Sequence, residues 1–192
     1  MSESVRSVLL VGVGGHGVIR ASDILSAVMM NAGFDVKKSE VHGMAQRGGC
    51  VSSHVRFGRK VYSPLARKGD VDVLVSFEKL ETLRYLEYLK SDGKVIINNE
   101  EVYPPSVNLG EIEYPGDAID FVKEHFKNVK MVDATAMALR SGDRRMVNTV
   151  ILGVLSSYLD IEPGVWENVL EESFPSKILR GNIEAFRSGR GV

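Results

Sequence analysis

Cysteine is almost absent from the 192-residue chain. Cys50 stands alone, so no disulfide can close within it, and an intracellular, cytoplasmic setting is the simple expectation. A surplus of one charge is missing too. The net charge of -1 leaves no basic footprint for nucleic acid and no polybasic stretch for a membrane surface. No apolar run approaches the roughly 18 residues that a membrane-spanning helix needs. Ser2 to Ser7 is polar and offers neither the apolar stretch nor the cleavage site of a secretory leader. Internal repeats, low-complexity tracts and domain-scale linkers are also absent. What is present, 44% hydrophobic against 26% charged residues, suits a soluble fold that buries its own core, and residues 1–192 are expected to form one domain.

Val8 to Val11 is apolar and runs into Gly12-Val13-Gly14-Gly15-His16-Gly17, after which Ile19, Ala21, Ile24, Leu25, Val28 and Met29 recur at helical spacing. Strand, glycine turn and helix open a doubly wound α/β sheet. Asp35 to Glu40 is a second strand, and Cys50 to Phe57 alternates as a third. Gly58-Arg59 reads as a tight turn into Lys60 to Tyr62. Val71 to Phe77 and Val95 to Ile97 are apolar enough for central strands covered on both faces. Glu78 to Lys90 is helical in period and Asp92-Gly93 ends it. Glu111 to Tyr114 is a candidate edge strand, Val129 to Val132 a last strand, and the text beyond Asp133 is helical. The expected fold is α/β, doubly wound and mainly parallel, with an antiparallel hairpin near residues 50–62 and helices on both faces.

Two segments carry chemistry. In the first, Gly12, Gly14 and Gly17 match a G-x-G-x-x-G turn, with Gly15 in addition. Missing side chains let backbone close on a phosphate, and the helix N-terminus supplies N–H donors and partial positive charge. Glu40, at the end of the second strand, stands where an acid would hold the ribose of a nicotinamide cofactor. Close helix–strand packing alone would also account for these glycines. The second segment, Glu40-Val41-His42-Gly43-Met44-Ala45-Gln46-Arg47-Gly48-Gly49, sets a carboxylate, an imidazole, an amide and a guanidinium among glycines, beside the first turn. A dehydrogenase has no use for it. Arg47 could clamp a carboxylate or phosphate, or pair with Glu40. His42 and Gln46 could hydrogen-bond to a ligand or serve the loop itself. His54 and Arg56 are expected to face solvent or a partner, and Met29-Met30 the core.

These motifs, with Ser53-His54-Val55-Arg56, Asp72 to Glu78, Glu81, Arg84, Asn148 and Leu152-Gly153, resemble the gamma domain of the 2-oxoacid:ferredoxin oxidoreductases across essentially the whole chain. His16 departs from the glutamine usual at that place. The Glu-Val-His-Gly-Met-Ala-Gln-Arg form looks most like the beta subunit of the family's indolepyruvate branch. The resemblance implies oxidative decarboxylation of a 2-oxoacid, here aryl pyruvates, to an acyl-CoA with electrons passed to ferredoxin. It implies thiamine diphosphate, magnesium and iron–sulfur clusters in the complex. One cysteine cannot supply the four thiolates of a cluster. Asp92-Gly93, Gly69-Asp70 and Gly142-Asp143 lack the surroundings of a thiamine and magnesium motif. Both cofactors are therefore expected on a larger partner subunit, with no metal held here. Glu40, His42, Gln46 and Arg47 are the candidates to complete the active site. Gly12, Gly14, Gly15, His16, Gly17, Gly43, Gly48 and Gly49 are candidates to touch a cofactor, coenzyme A included. The alternatives are a gamma subunit acting on pyruvate, 2-oxoisovalerate or 2-oxoglutarate, a nicotinamide-dependent dehydrogenase, and a non-catalytic assembly module.

Overall fold

The computed structural model describes residues 4–43 and 49–192. The first turn behaves as its composition demands: β1 (Arg6–Val13) leads through the glycines into α1 (Val18–Asn31), whose buried face is Ala21, Ile24, Leu25, Val28 and Met29. Gly33, at φ 86°, lets the chain reverse into β2 (Asp35–His42), and β3 (Cys50–Gly58) returns beside it. Then come β4 (Val71–Ser76), α2 (Lys79–Tyr85) and β5 (Leu89–Asn98). A short α3 (Pro105–Asn108) and α4 (Ala118–His125) precede β6 (Asn128–Val132). The chain closes with α5 (Ala134–Arg140), α6 (Val147–Ser156), α7 (Pro163–Ser173) and α8 (Ser176–Arg190).

The described strands form one sheet in the order β2-β3-β1-β4-β5-β6. β1 pairs in parallel with β4, β4 with β5 and β5 with β6, while β3 runs antiparallel to both β1 and β2. β2 therefore runs in the direction of β1, and the carboxyl ends of β1, β2, β4, β5 and β6 share one edge. Alternation splits the core as a two-sided sheet requires. Val8, Leu10, Val73 and Val75 pack beneath α1, α6, α7 and α8, whereas Leu9, Val11, Leu74 and Ile97 pack against α2 and α4. Every residue of α6 is buried, which is why its sequence is apolar all round.

Several details differ from expectation. The hairpin is formed by β2 and β3, not by residues 50–57 with 60–62. Past Gly58 the chain instead folds back: Val61 N–H donates to Asp35 (2.9 Å), and Arg56 gathers the carbonyls of Ser63 and Leu65 (3.1 Å each). That covering loop also buries His54, whose Nδ1 accepts from Ala66 N–H at 3.4 Å. Arg56 is likewise engaged inside, with Ser7 Oγ and Asp70. The helix that begins after Glu78 stops at Tyr85, and a 3₁₀ turn delivers Leu89 straight into β5. Asp92-Gly93 thus lies within a strand. Residues 111–114 form no strand, and Met30 is exposed although Met29 is buried.

Candidate functional site

The glycine turn sits at the carboxyl edge of β1. Gly12 has a packing duty: a Cβ there would lie 2.9 Å from both Phe77 Cβ and Val18 Cγ2. Gly15 (φ 102°) and Gly17 (φ 77°) hold the left-handed backbone that turns the chain into α1. Gly17 caps α1 without a side-chain acceptor, and no acidic residue lies in the helix's first turn. Among the described residues no side chain caps the positive pole of α1. Gly14 N–H donates to the Gly49 carbonyl at 2.8 Å, and Gly43 N–H to the Cys50 carbonyl at 2.7 Å. The two glycine segments, distant in sequence, are therefore stitched edge to edge.

Beside the turn lies a pocket of about 230 Å³ lined by Gly15, His16, Gly17, Glu100, Arg144, Arg145 and Val147. Glu100 leaves the end of β5 and is held from three sides. Its Oε2 accepts from Asn98 Nδ2 (3.0 Å) and Thr135 Oγ1 (2.9 Å), and its Oε1 from Arg144 (2.5 Å). Asn98 is itself fully buried, accepting from Ala134 N–H at 3.1 Å, so the wall beneath Glu100 is fixed. The 3₁₀ turn Arg144–Met146 is capped by Asp143, which also pairs with Arg145 (2.6 Å). Both arginine side chains keep most of their surface in solvent, so an incoming anion could compete for them.

His16 Nδ1 is buried without a hydrogen-bond partner among the described residues. Burial lowers the imidazole pKa, and Arg144 adds to this, while Glu100 and Glu78 oppose it. The buried His54 is lowered in the same way, by burial first and then by Arg56. The fold thus favours both neutral imidazoles. Their stabilisation is complete above the free imidazole pKa of about 6.5 and is lost as the pH falls from there toward their depressed folded values. Calorimetric melting between about pH 7 and pH 5 should show the transition falling, and falling less in His16→Gln. Equal pH slopes in the two proteins would contradict this.

The other sequence candidates are distributed as follows. Glu40 lies in β2 and pairs with Lys38 (2.5 Å), which also reaches Asp23 of α1. It does not line the pocket just described. Gln46, Arg47 and Gly48 lie outside the described residues, as does the side chain of His42. Cys50 is half-buried, its Sγ 3.0 Å from the Tyr85 hydroxyl, and burial raises its thiol pKa, the reverse of an activated nucleophile. Glu78 is buried and caps α2 through the Glu81 N–H at 2.9 Å. Glu100, Arg144 and Arg145 escaped the sequence reading as site residues. The signal that marks Glu100 is its place just past a central strand at the ligand-binding edge.

The sheet order and the glycine-lined edge define a class of protein. Residues 7–192 match the pyruvate ferredoxin/flavodoxin oxidoreductase family, and the chain belongs to it as a subunit of a 2-oxoacid:ferredoxin oxidoreductase. More particularly, it is similar to the indolepyruvate oxidoreductase subunit IorB of Archaeoglobus fulgidus, at 36% identity over 95% of this chain and 92% of that one. IorB of Thermococcus kodakarensis is also 36% identical, over 95% and 93%. Two solved structures share the fold. The pyruvate oxidoreductase subunit PORC of Thermotoga maritima superposes with a TM-score of 0.74 at 24% identity, over 97% of this chain and 96% of that one. The 2-oxoglutarate:ferredoxin oxidoreductase of Magnetococcus marinus, solved with 2-oxoglutarate, coenzyme A and succinyl-CoA bound, gives 0.76 at 22%. That match covers 99% of this chain but only 31% of the larger one. No described helix is long and apolar enough to cross a membrane.

Proposed function

We propose that this chain is the beta subunit, free of thiamine and clusters, of an indolepyruvate ferredoxin oxidoreductase. In this reading residues 1–192 are one gamma-type domain of a cytoplasmic complex. The complex decarboxylates aryl pyruvates oxidatively to aryl-acetyl-CoA and reduces ferredoxin. Thiamine diphosphate, magnesium and iron–sulfur clusters belong to a larger subunit, since the single Cys50 cannot ligate a cluster. The similarity to IorB over nearly the full chain supports the substrate class. The observation that carries this chain's own role is the first glycine turn, tied to the second segment through Gly14 and Gly49 and lining one pocket with Arg144 and Arg145. Helix N-terminal N–H groups and two guanidinium forks in one pocket suit a diphosphate, the part of coenzyme A that this chain would hold at the subunit boundary. Gly15, His16 and Gly17 line that cradle, and Gly14 ties it to Gly49. Glu40, His42, Gln46 and Arg47 are the residues that complete the partner's reaction chamber.

Co-expression with the large subunit from the same organism, followed by dye reduction over a panel of 2-oxoacids, tests this. The isolated chain should be inactive, and the complex should prefer aryl pyruvates. Arg144→Ala should raise the KM for coenzyme A by about tenfold or more while leaving that for the oxoacid near its original value, as loss of one charge-assisted hydrogen bond requires. Activity of the chain alone, or a preference for pyruvate or 2-oxoglutarate, would overturn the assignment. An unchanged KM for coenzyme A would remove the diphosphate from this pocket.

A further inference from the structure

Residues 101–117 leave the carboxyl end of β5 directly beyond the pocket wall at Glu100. This excursion is fastened at both ends to one buried carboxylate. Glu78 Oε1 accepts from Val102 N–H (3.2 Å) and from the Tyr114 hydroxyl (2.6 Å). The Tyr103 and Tyr114 rings pack at its base with centroids 5.2 Å apart. At its tip α3 ends in a tight turn, with Glu111 N–H bonded to the Ser106 carbonyl at 2.9 Å and Gly110 at φ 73°. The turn holds two large apolar side chains outward: Leu109 is 74% exposed and Ile112 57%. Scattered single exposed leucines are ordinary, but two within four residues on a braced tip are a patch that asks for a cover. The local charge is lopsided: Glu111 and Glu113 stand exposed on either side of Ile112, and between residues 101 and 124 six carboxylates, of which Glu101 pairs with Lys79, stand against one cation, Lys123.

We propose that this tip is a docking surface for the large subunit of the oxidoreductase, whose matching face is apolar at its centre and rimmed by lysine or arginine. The inference rests on the functional reading above and adds to it a surface built from residues 101–117. A second copy of this chain does not suit the tip, because two such surfaces would bring like charges together. The apolar pair supplies the contact that excludes water, and the acidic rim supplies steering and salt dependence.

The experiment uses the chain co-expressed with its large subunit and follows assembly by analytical ultracentrifugation across a salt titration. Leu109→Ser with Ile112→Ser should weaken the complex by at least about tenfold. Glu111→Lys with Glu113→Lys should weaken it at low salt and lose most of that effect at high salt. All four side chains are exposed, so the thermal melting of the free variants should match the wild type. If both variants assemble like the wild type, the tip is not the docking surface, although the subunit assignment stands. If the wild-type chain does not assemble with the large subunit, both readings fail. If the serine variant only abolishes self-association of the free chain, a second copy is the occupant and the proposal is wrong.

Discussion

Replacing Gly153 by valine is expected to lower the stability of the fold by about 3 kcal/mol or more, at the upper end of what overpacking costs. Gly153 lies where α6 crosses α8, and Gly189 faces back across the same crossing. A Cβ on Gly153 would stand 2.1 Å from the Phe186 carbonyl oxygen, and one on Gly189 2.0 Å from that of Val150. These neighbours are backbone, so no side chain can swing aside. The helices would have to separate, opening the core where Val150, Ile151 and the stacked Trp166 and Phe186 meet. At 2–4 °C per kcal/mol for a domain of this size, the melting temperature should fall by roughly 6–12 °C. Gly164→Ala is the control, because a Cβ there meets nothing within 4 Å. It should be neutral or slightly stabilising. Equal melting of Gly153→Val and wild type would show that the two helices do not need this closeness.

The second large effect is expected at Glu78. Its carboxylate accepts from Glu81 N–H, Val102 N–H and the Tyr114 hydroxyl. Burial, and then the bond to Glu78, lift the Tyr114 pKa above the usual phenol range, so the hydroxyl stays a donor at any ordinary pH. Alanine would remove a helix cap and strand donors in a buried place, a loss of about 3 kcal/mol. It would also release both ends of the 101–117 excursion. Two readouts are therefore expected to move together: chemical denaturation should shift to lower denaturant, and limited proteolysis should cut between residues 101 and 117 faster. Glu78→Gln, which keeps an acceptor for the helix cap, should fall between. A Glu78→Ala protein with unaltered stability and protection would show that these bonds are dispensable.

Much of this architecture could be read from the residues because single elements carry local signals. The glycine turn announced itself between an apolar run and a helical period, and the apolar stretches at 71–77 and 95–97 could only be central strands. Pairing is not a local property, and single residues carry no sign of it. Gly58-Arg59 has the chemistry of a tight turn, yet Asp35, opposite Gly58 on the neighbouring strand, captures Val61 and draws the chain elsewhere. His54 alternates correctly with Val55, but the face it occupies is covered by a loop and by Tyr88, whose ring lies edge-on at 5.6 Å. The site divides in the same way. Gly14, Gly15 and Gly17 were visible as a motif. Glu100, Arg144 and Arg145 became neighbours only through the strand order, since nothing in Arg144-Arg145 as text distinguishes it from a solvated pair.

The place of β1 has a consequence for how the protein is made. Neither of its neighbours in the sheet, β3 and β4, is the strand that follows it in sequence. While the chain emerges from the ribosome, the sticky segment Val8 to Val11 waits for Cys50–Gly58 on one side and Val71–Ser76 on the other. Long-range pairing of this kind is slow and leaves hydrophobic strand edges bare in the interval. Gly14 has no Gly49 to meet until β3 has zipped, and Arg144 arrives later still. The pocket is thus among the last parts of the molecule to come into being, and translation stalled before α6 would leave a species prone to clump, not a smaller working site.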